Sequence, residues 1–169
     1  LTAAADRCRD AVLPVSIVSC GVAGTYQSSA FLPGVTEIQA GDGIFGDVHY
    51  RDHYRVDHEC ALTVVTTIVS RPNDHVIVTD GGFKALGTSS RATPEPVGLP
   101  PEQVEGIHFA AEHGRIKLTA PNATIEVGQQ LEFIVGYSDE TVFLHDVLYG
   151  VGGETVQAAW EITGRGKLQ

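Results

Sequence analysis

The chain has 169 residues, enough for one domain or one domain plus a piece of another, and its 43% hydrophobic content supports a packed core rather than disorder. The balance of 11 basic against 21 acidic residues, formally −10, disfavours nucleic acid and anionic membrane surfaces as partners, because phosphate neutralisation needs clustered Lys and Arg. No apolar run approaches the roughly 20 residues of a spanning helix, and no signal peptide is visible.

Residues 1–13 read as a helix, Ala-rich and closed by Pro14. Residues 15–19 read as a short buried strand, followed at once by the small residues Cys20, Gly21, Val22, Ala23, Gly24 and then Thr25. Small residues after a strand let a ligand approach the backbone closely. Residues 35–39 read as a second strand, with Gly41, Asp42 and Gly43 as a second small-residue loop. Helix, strand, loop, strand, loop is the pattern of the last units of an α/β barrel. Two such loops suggest a phosphate cradle, although plain turns are the default, and neither a P-loop nor a GxGxxG fingerprint is present.

From Cys60 onward the character changes. Residues 61–70, 76–80, 114–119, 131–135, 147–151 and 155–162 read as strands, with turn signals at 71–74, 80–82, 121–122 and 152–153. Short strands at this spacing indicate an antiparallel sandwich or barrel. Residues 89–101 carry four prolines and read as a loop. The expected fold is therefore mainly β: an antiparallel sandwich or barrel over residues 51–169, preceded by the last β/α units of a TIM-like barrel over residues 1–50. The polar residues between Phe45 and Glu59, among them His49, His53 and His58, read as a solvated linker at the boundary.

Cys8, Cys20 and Cys60 are an odd count without CxxC. They read as buried thiols of a reducing, cytoplasmic compartment. The chain contains no Met and starts at Leu1 inside a helical pattern, as a piece or processed product of a longer chain would. Lys84 reads as a surface lysine or a partner of Asp80, and His113 as a turn histidine. Tyr137, Asp139, His145 and Asp146 crowd into one polar stretch between strands, where a rigid sheet commonly presents site residues. A hydrogen-bonded turn and a divalent-metal site both fit that composition.

Read as a set, these motifs resemble the D-serine dehydratase and D-threonine aldolase family. The resemblance rests on Cys60-Ala61-Leu62-Thr63-Val64, Val69-Ser70-Arg71-Pro72, Asp80-Gly81-Gly82-Phe83-Lys84-Ala85-Leu86, Glu112-His113-Gly114, Thr141-Val142-Phe143-Leu144-His145-Asp146, and Trp160 with Gly164-Arg165-Gly166. Upstream, Gly24-Thr25-Tyr26 and residues 33–38 resemble the end of that family's barrel.

The resemblance implies a fold-type III enzyme with an alanine-racemase-like barrel and a β domain. Pyridoxal 5′-phosphate and a divalent metal (Mg, Mn or Zn) would be its cofactors, and D-amino acids or β-hydroxy amino acids its substrates, in an aldolase, dehydratase or racemase reaction. It places Gly21, Val22, Ala23, Gly24 and Thr25 on one side of the cofactor phosphate and Gly41, Asp42 and Gly43 on the other. It places Tyr137, Asp139 and His145 on the substrate side, and it implies a homodimer completed by an N-terminal barrel portion.

Two departures stand out. The family's metal-binding His and its partner two residues on fall at Tyr137 and Asp139, which leaves Asp139 as the metal ligand beside a phenol. The family's cofactor-anchoring lysine precedes everything in this chain, and Lys84, Lys117 and Lys167 do not match it. This chain alone is then expected to be inactive. The rival reading is a non-catalytic β-rich binding or assembly domain derived from the same fold.

Overall fold

A computed structural model of the chain describes residues 1–87 and 91–167. Helix α1 (Thr2–Asp10) leads to strand β1 (Ser19–Val22), the single helical turn α2 (Tyr26–Ser29) and strand β2 (Glu37–Gln39). β1 and β2 pair in parallel, as the barrel-end reading requires. β1 starts later than residue 15. Around Val18 the chain is held by the Thr36 hydroxyl, which accepts from Val18 N–H, so the backbone ladder begins only at Ser19. Gly21 and Val22 consequently belong to the strand rather than to the loop after it.

A 3-10 turn over Gly41–Ile44 and helix α3 (Val48–His53) follow. The expected solvated linker is thus partly a helix, with Val48 and His49 buried.

The β region is built from β3 (Thr63–Asn73), β4 (Val76–Thr79), β5 (Glu95–Pro96), β6 (Val104–Phe109), β7 (Gly114–Leu118) and β8 (Gln130–Ile134). A turn of helix, α4 (Phe83–Leu86), separates β4 from β5. These six strands form one antiparallel sheet in the order β5-β8-β3-β4-β7-β6. Helix α5 (Ser138–Val142) then precedes a separate hairpin of β9 (Val147–Gly152) and β10 (Thr155–Glu161). The chain is mainly β, as its turn-punctuated pattern indicated.

Period-two burial builds the core. β7 turns Gly114, Ile116 and Leu118 inward, and β8 turns in Leu131 and Phe133. These meet Ile68, Ile77, Leu86 and Leu99 in one cluster. Phe109 closes edge-on against Phe133 at 5.8 Å between centroids. Burying a side chain of this size contributes about 3 kcal/mol.

β3 is longer than expected and runs through Pro72. The proline sits where the β3–β4 register shifts between Ser70 and Asn73, a bulge that needs no ladder N–H there. Arg71 then clamps this end of the sheet, donating to the carbonyls of Val76 (2.9 Å), Asp74 (3.0 Å), Asn122 (2.7 Å) and Ile125. On β3 the buried Thr66 hydroxyl donates to Leu131 O at 2.8 Å across the ladder. Thr66→Val keeps the shape and removes the donor. It is expected to lower stability by about 1 kcal/mol, measured by urea unfolding.

Two other expectations need correcting. The segment read as a loop over residues 89–101 contains β5, and its Ser89 and Ser90 lie outside the described residues. Cys8, Cys20 and Cys60 are free but only half-buried. No helix among the described residues is long and apolar enough to cross a membrane.

Candidate functional site

The site forms where the loop after β2 meets the loop after β8. Asp47 is the pin. It caps α3 with a fully buried carboxylate, Oδ1 accepting from Tyr50 N–H at 2.8 Å. Its Oδ2 accepts from Ser138 N–H at 2.8 Å, at the start of α5. Beside it, Val48 N–H donates to Val135 O and His49 N–H to Gly136 O. One short stretch therefore fixes α3, the end of β8 and the first turn of α5 together. Gly136 permits this, because a Cβ there would lie 2.2 Å from Ala92 O.

Onto this frame the chain hangs Tyr137 and Asp139. The Tyr137 hydroxyl donates to Asp139 Oδ2 at 2.7 Å. That bond, with burial and the Asp139 charge, holds the phenol well above its usual range. The Arg91 guanidinium lies 4.9 Å from the Tyr137 ring centroid. Burial and the Asp139 charge likewise push the Tyr50 phenol up. Asp42 turns its side chain inward towards the same region. It is 6% exposed, neither carboxyl oxygen has a protein partner, and burial with the charges of Asp47 and Asp139 raises it to about 7. A cavity of about 340 Å³ opens beside Tyr137, with Glu140, His108, Phe83 and Pro94 on its wall.

The two small-residue loops stand at the C-terminal ends of the paired strands. Gly21 has φ +83, and a Cβ on it would meet Ser29 at 2.8 Å. Val22 is half-exposed, Ala23 is buried, and Gly24 lies flat against the Tyr54 ring, leaving 2.5 Å for a Cβ. The Thr25 hydroxyl accepts from Val22 N–H at 3.2 Å and keeps its own proton to donate. Gly41 has open space where a Cβ would stand, and Gly43 sits 3.5 Å from the His58 ring by the same measure. His58 in turn bonds Tyr26 Oη at 2.8 Å and links the two loops. Exposed backbone at Gly41 and Gly43, with a donor at Thr25, fits an anionic group such as a phosphate. Asp42 contributes only its backbone to that open face.

The remaining candidates separate. His145 Nε2–H donates to Ala85 O at 2.8 Å, which ties the segment after α5 to α4. Asp146 pairs with Arg165 at 2.6 Å rather than with His145. Lys84 pairs with Glu112, not Asp80, because the Asp80 carboxylate accepts from Thr67 N–H at 2.7 Å. Lys117 pairs with Glu105. Among the described residues no three His, Cys, Asp or Glu side chains converge as a metal centre. The donor set reduces to Asp139 bonded to a phenol and does not fit a closed transition-metal site.

Sequence reasoning missed Asp47, Tyr50 and Arg91. Asp47 had a legible signal, an N-cap residue ahead of a helical stretch. The contacts of Arg91 had none.

A family profile described as a putative serine dehydratase domain matches residues 61–151. The chain is 29% identical over 167 residues to 3-hydroxy-D-aspartate aldolase of Paracoccus denitrificans, covering 92% of this chain and 41% of that protein. It is 27% identical over 164 residues to D-threonine aldolase of Arthrobacter sp., covering 94% and 42%. The crystal structure of D-threonine aldolase from Filomicrobium marinum superposes with a TM-score of 0.85 at 27% identity, covering 95% of this chain and 44% of that one. The chain spans about two fifths of the length of the curated relatives it matches.

Proposed function

Because the chain belongs to the putative serine dehydratase domain family, we propose that it forms the C-terminal part of a pyridoxal 5′-phosphate-dependent lyase. Its substrates are D-amino acids or β-hydroxy amino acids, and its reaction is an aldol cleavage or a dehydration. The observation that carries this reading is the meeting of the Gly41–Ile44 turn with the Tyr137–Asp139 pair across the Asp47 pin. It sets an open anion-binding backbone and a polar substrate wall on one frame.

In this reading the exposed backbone around Gly41 and Gly43 and the Thr25 hydroxyl hold the cofactor phosphate, with Gly21, Val22, Ala23 and Gly24 shaping the facing loop. When bound, pyridoxal 5′-phosphate would supply an electron sink for the bonds at the substrate α-carbon. In an aldol cleavage Asp139 would accept the proton of the substrate β-hydroxyl as the Cα–Cβ bond breaks and the carbonyl forms, while Tyr137 Oη donates to its Oδ2. Tyr137, held protonated, orients that carboxylate. His145 acts as a positioning residue through Ala85. An N-terminal barrel portion supplies the cofactor-anchoring lysine, and the active assembly is a homodimer.

The test is reductive trapping. The complete protein, reconstituted with pyridoxal 5′-phosphate, is expected to show the visible absorbance of a lysine-bound pyridoxal, fixed by borohydride on a lysine other than Lys84, Lys117 or Lys167. A cofactor adduct trapped on Lys84 would overturn the assignment.

The metal stands apart from this scheme, and no step runs through it. A single carboxylate with a phenol holds zinc weakly, while oxygen donors suit Mg²⁺ or Mn²⁺. Dialysis against chelator is expected to strip all zinc from the protein. Stoichiometric zinc that survives dialysis and disappears in Asp139→Ala would show the opposite.

A further inference from the structure

Between the two small-residue loops stands a side-chain pair with no role in the proposed chemistry. Tyr26 follows Thr25 directly, at the end of the first loop. Its hydroxyl lies 2.8 Å from His58 Nε2, and the two rings face each other at a tilt of 31° with centroids 5.5 Å apart. His58 borders the second loop, 3.5 Å from where a Cβ on Gly43 would stand. The Tyr26 side chain therefore reaches from the first loop towards the second, and its hydroxyl sits between them.

The direction of the hydrogen bond decides what the pair can do. His58 Nδ1 is buried without a partner. A proton on it would be an orphaned buried N–H, a rarer defect than an orphaned acceptor. The ring proton therefore sits on Nε2, and Nε2–H donates to Tyr26 Oη. The phenol keeps its own proton. Among the described residues nothing accepts that proton, and Tyr26 is only partly buried, so a ligand can reach it.

The cradle lacks such a donor. Gly21, Val22, Ala23, Gly24, Gly41 and Gly43 have no polar side chain, and Asp42 turns its carboxyl inward, so Thr25 brings the cradle's one side-chain hydroxyl. Phosphate oxygens accept hydrogen bonds, and a donor to a charged acceptor is worth about twice one to a neutral acceptor.

We propose that Tyr26 is a further anion-binding residue, giving its phenolic proton to a phosphate oxygen held between the loops, and that His58 is the positioning residue that fixes the phenol there. The proposal rests on the reading of these loops as a phosphate cradle and is independent of the chemistry at Tyr137 and Asp139.

The complete protein, freed of cofactor, would be titrated with inorganic phosphate by phosphorus NMR, and with pyridoxal 5′-phosphate and pyridoxal by equilibrium dialysis. Wild type is expected to bind phosphate saturably at one site. Tyr26→Phe keeps the ring and removes the proton. It should bind phosphate and pyridoxal 5′-phosphate at least about tenfold more weakly, the value of a hydrogen bond to a charged group, and bind pyridoxal as wild type does. His58→Phe should show the same selective loss. His58→Gln should restore affinity, because its amide N–H reaches where Nε2–H stood. Phosphate binding by Tyr26→Phe equal to wild type overturns the proposal. Equal weakening of pyridoxal overturns it too, since the role would then be structural. No saturable phosphate binding in wild type overturns it together with the cradle. Failure of the lyase reading alone looks different: borohydride traps no lysine-bound pyridoxal, while Tyr26→Phe still weakens phosphate.

Discussion

Replacing Asp47 with alanine is expected to cost about 3 kcal/mol of stability. The side chain is fully buried and carries no redundant bond: one oxygen takes Tyr50 N–H, the other Ser138 N–H. Alanine leaves both donors unpaired in a dry junction, and each orphaned buried group costs roughly 1–3 kcal/mol. Asp47→Asn should fall between, since an amide has one oxygen to accept and presents N–H groups to the second donor. The measurement is the denaturant midpoint at neutral pH. A midpoint for Asp47→Ala within about 0.5 kcal/mol of wild type would mean that water satisfies these donors and that the junction is open.

Asp42→Asn is expected to act in the opposite direction, and only above acid pH. The folded chain raises this carboxyl from 3.8 to about 7, first by burial and then by the charges of Asp47 and Asp139. Below about pH 4 both the folded and the unfolded chain keep it protonated, and it costs nothing. Between about pH 4 and 7 the unfolded chain releases the proton while the folded chain retains it, so stability falls as pH rises. Above about pH 7 the full penalty is in place, on the order of 4 kcal/mol. The neutral amide escapes it. The variant should therefore be more stable than wild type by about 2–4 kcal/mol near pH 8 and equal to it near pH 4. Equal shifts at both pH values would show that shape, not charge, decides.

The two variants interact. Removing the Asp47 charge withdraws one of the causes that raise Asp42, so the double variant should depart from additivity.

The β architecture was legible because β-branched runs alternate with glycine and proline turns. Residues 63–70 and 76–79 announce β3 and β4 without help from the rest of the chain. β6 was missed because Val104-Glu105-Gly106-Ile107-His108-Phe109 has a glycine at its centre and few β-branched residues. Its strand character comes from pairing with β7 through a register shift at Gly106. Local polarity misled in the stretch after Phe45. Asp47 and His49 look like linker residues in sequence, yet β8 and α5 bury them from about 90 residues away. His145 shows the same limit: its partner Ala85 is 60 residues distant, and nothing in the neighbouring Asp146 hints at it. Tyr137 and Asp139 were singled out because polar residues crowd between two strands there and the family resemblance puts its metal-binding pair at those positions. Their bond to each other, and the inward turn of Asp42 towards them, depend on the folded junction.

Trp160 stands on β10 across from Leu148 and closes over Gly150, whose Cβ would lie 2.7 Å from its ring. It is 53% exposed, and it is the chain's only tryptophan. Intrinsic emission therefore reports the β9–β10 hairpin and is blind to the six-stranded core. A fluorescence unfolding curve that runs ahead of the circular dichroism curve would register the hairpin peeling away first, not a folding intermediate of the sheet.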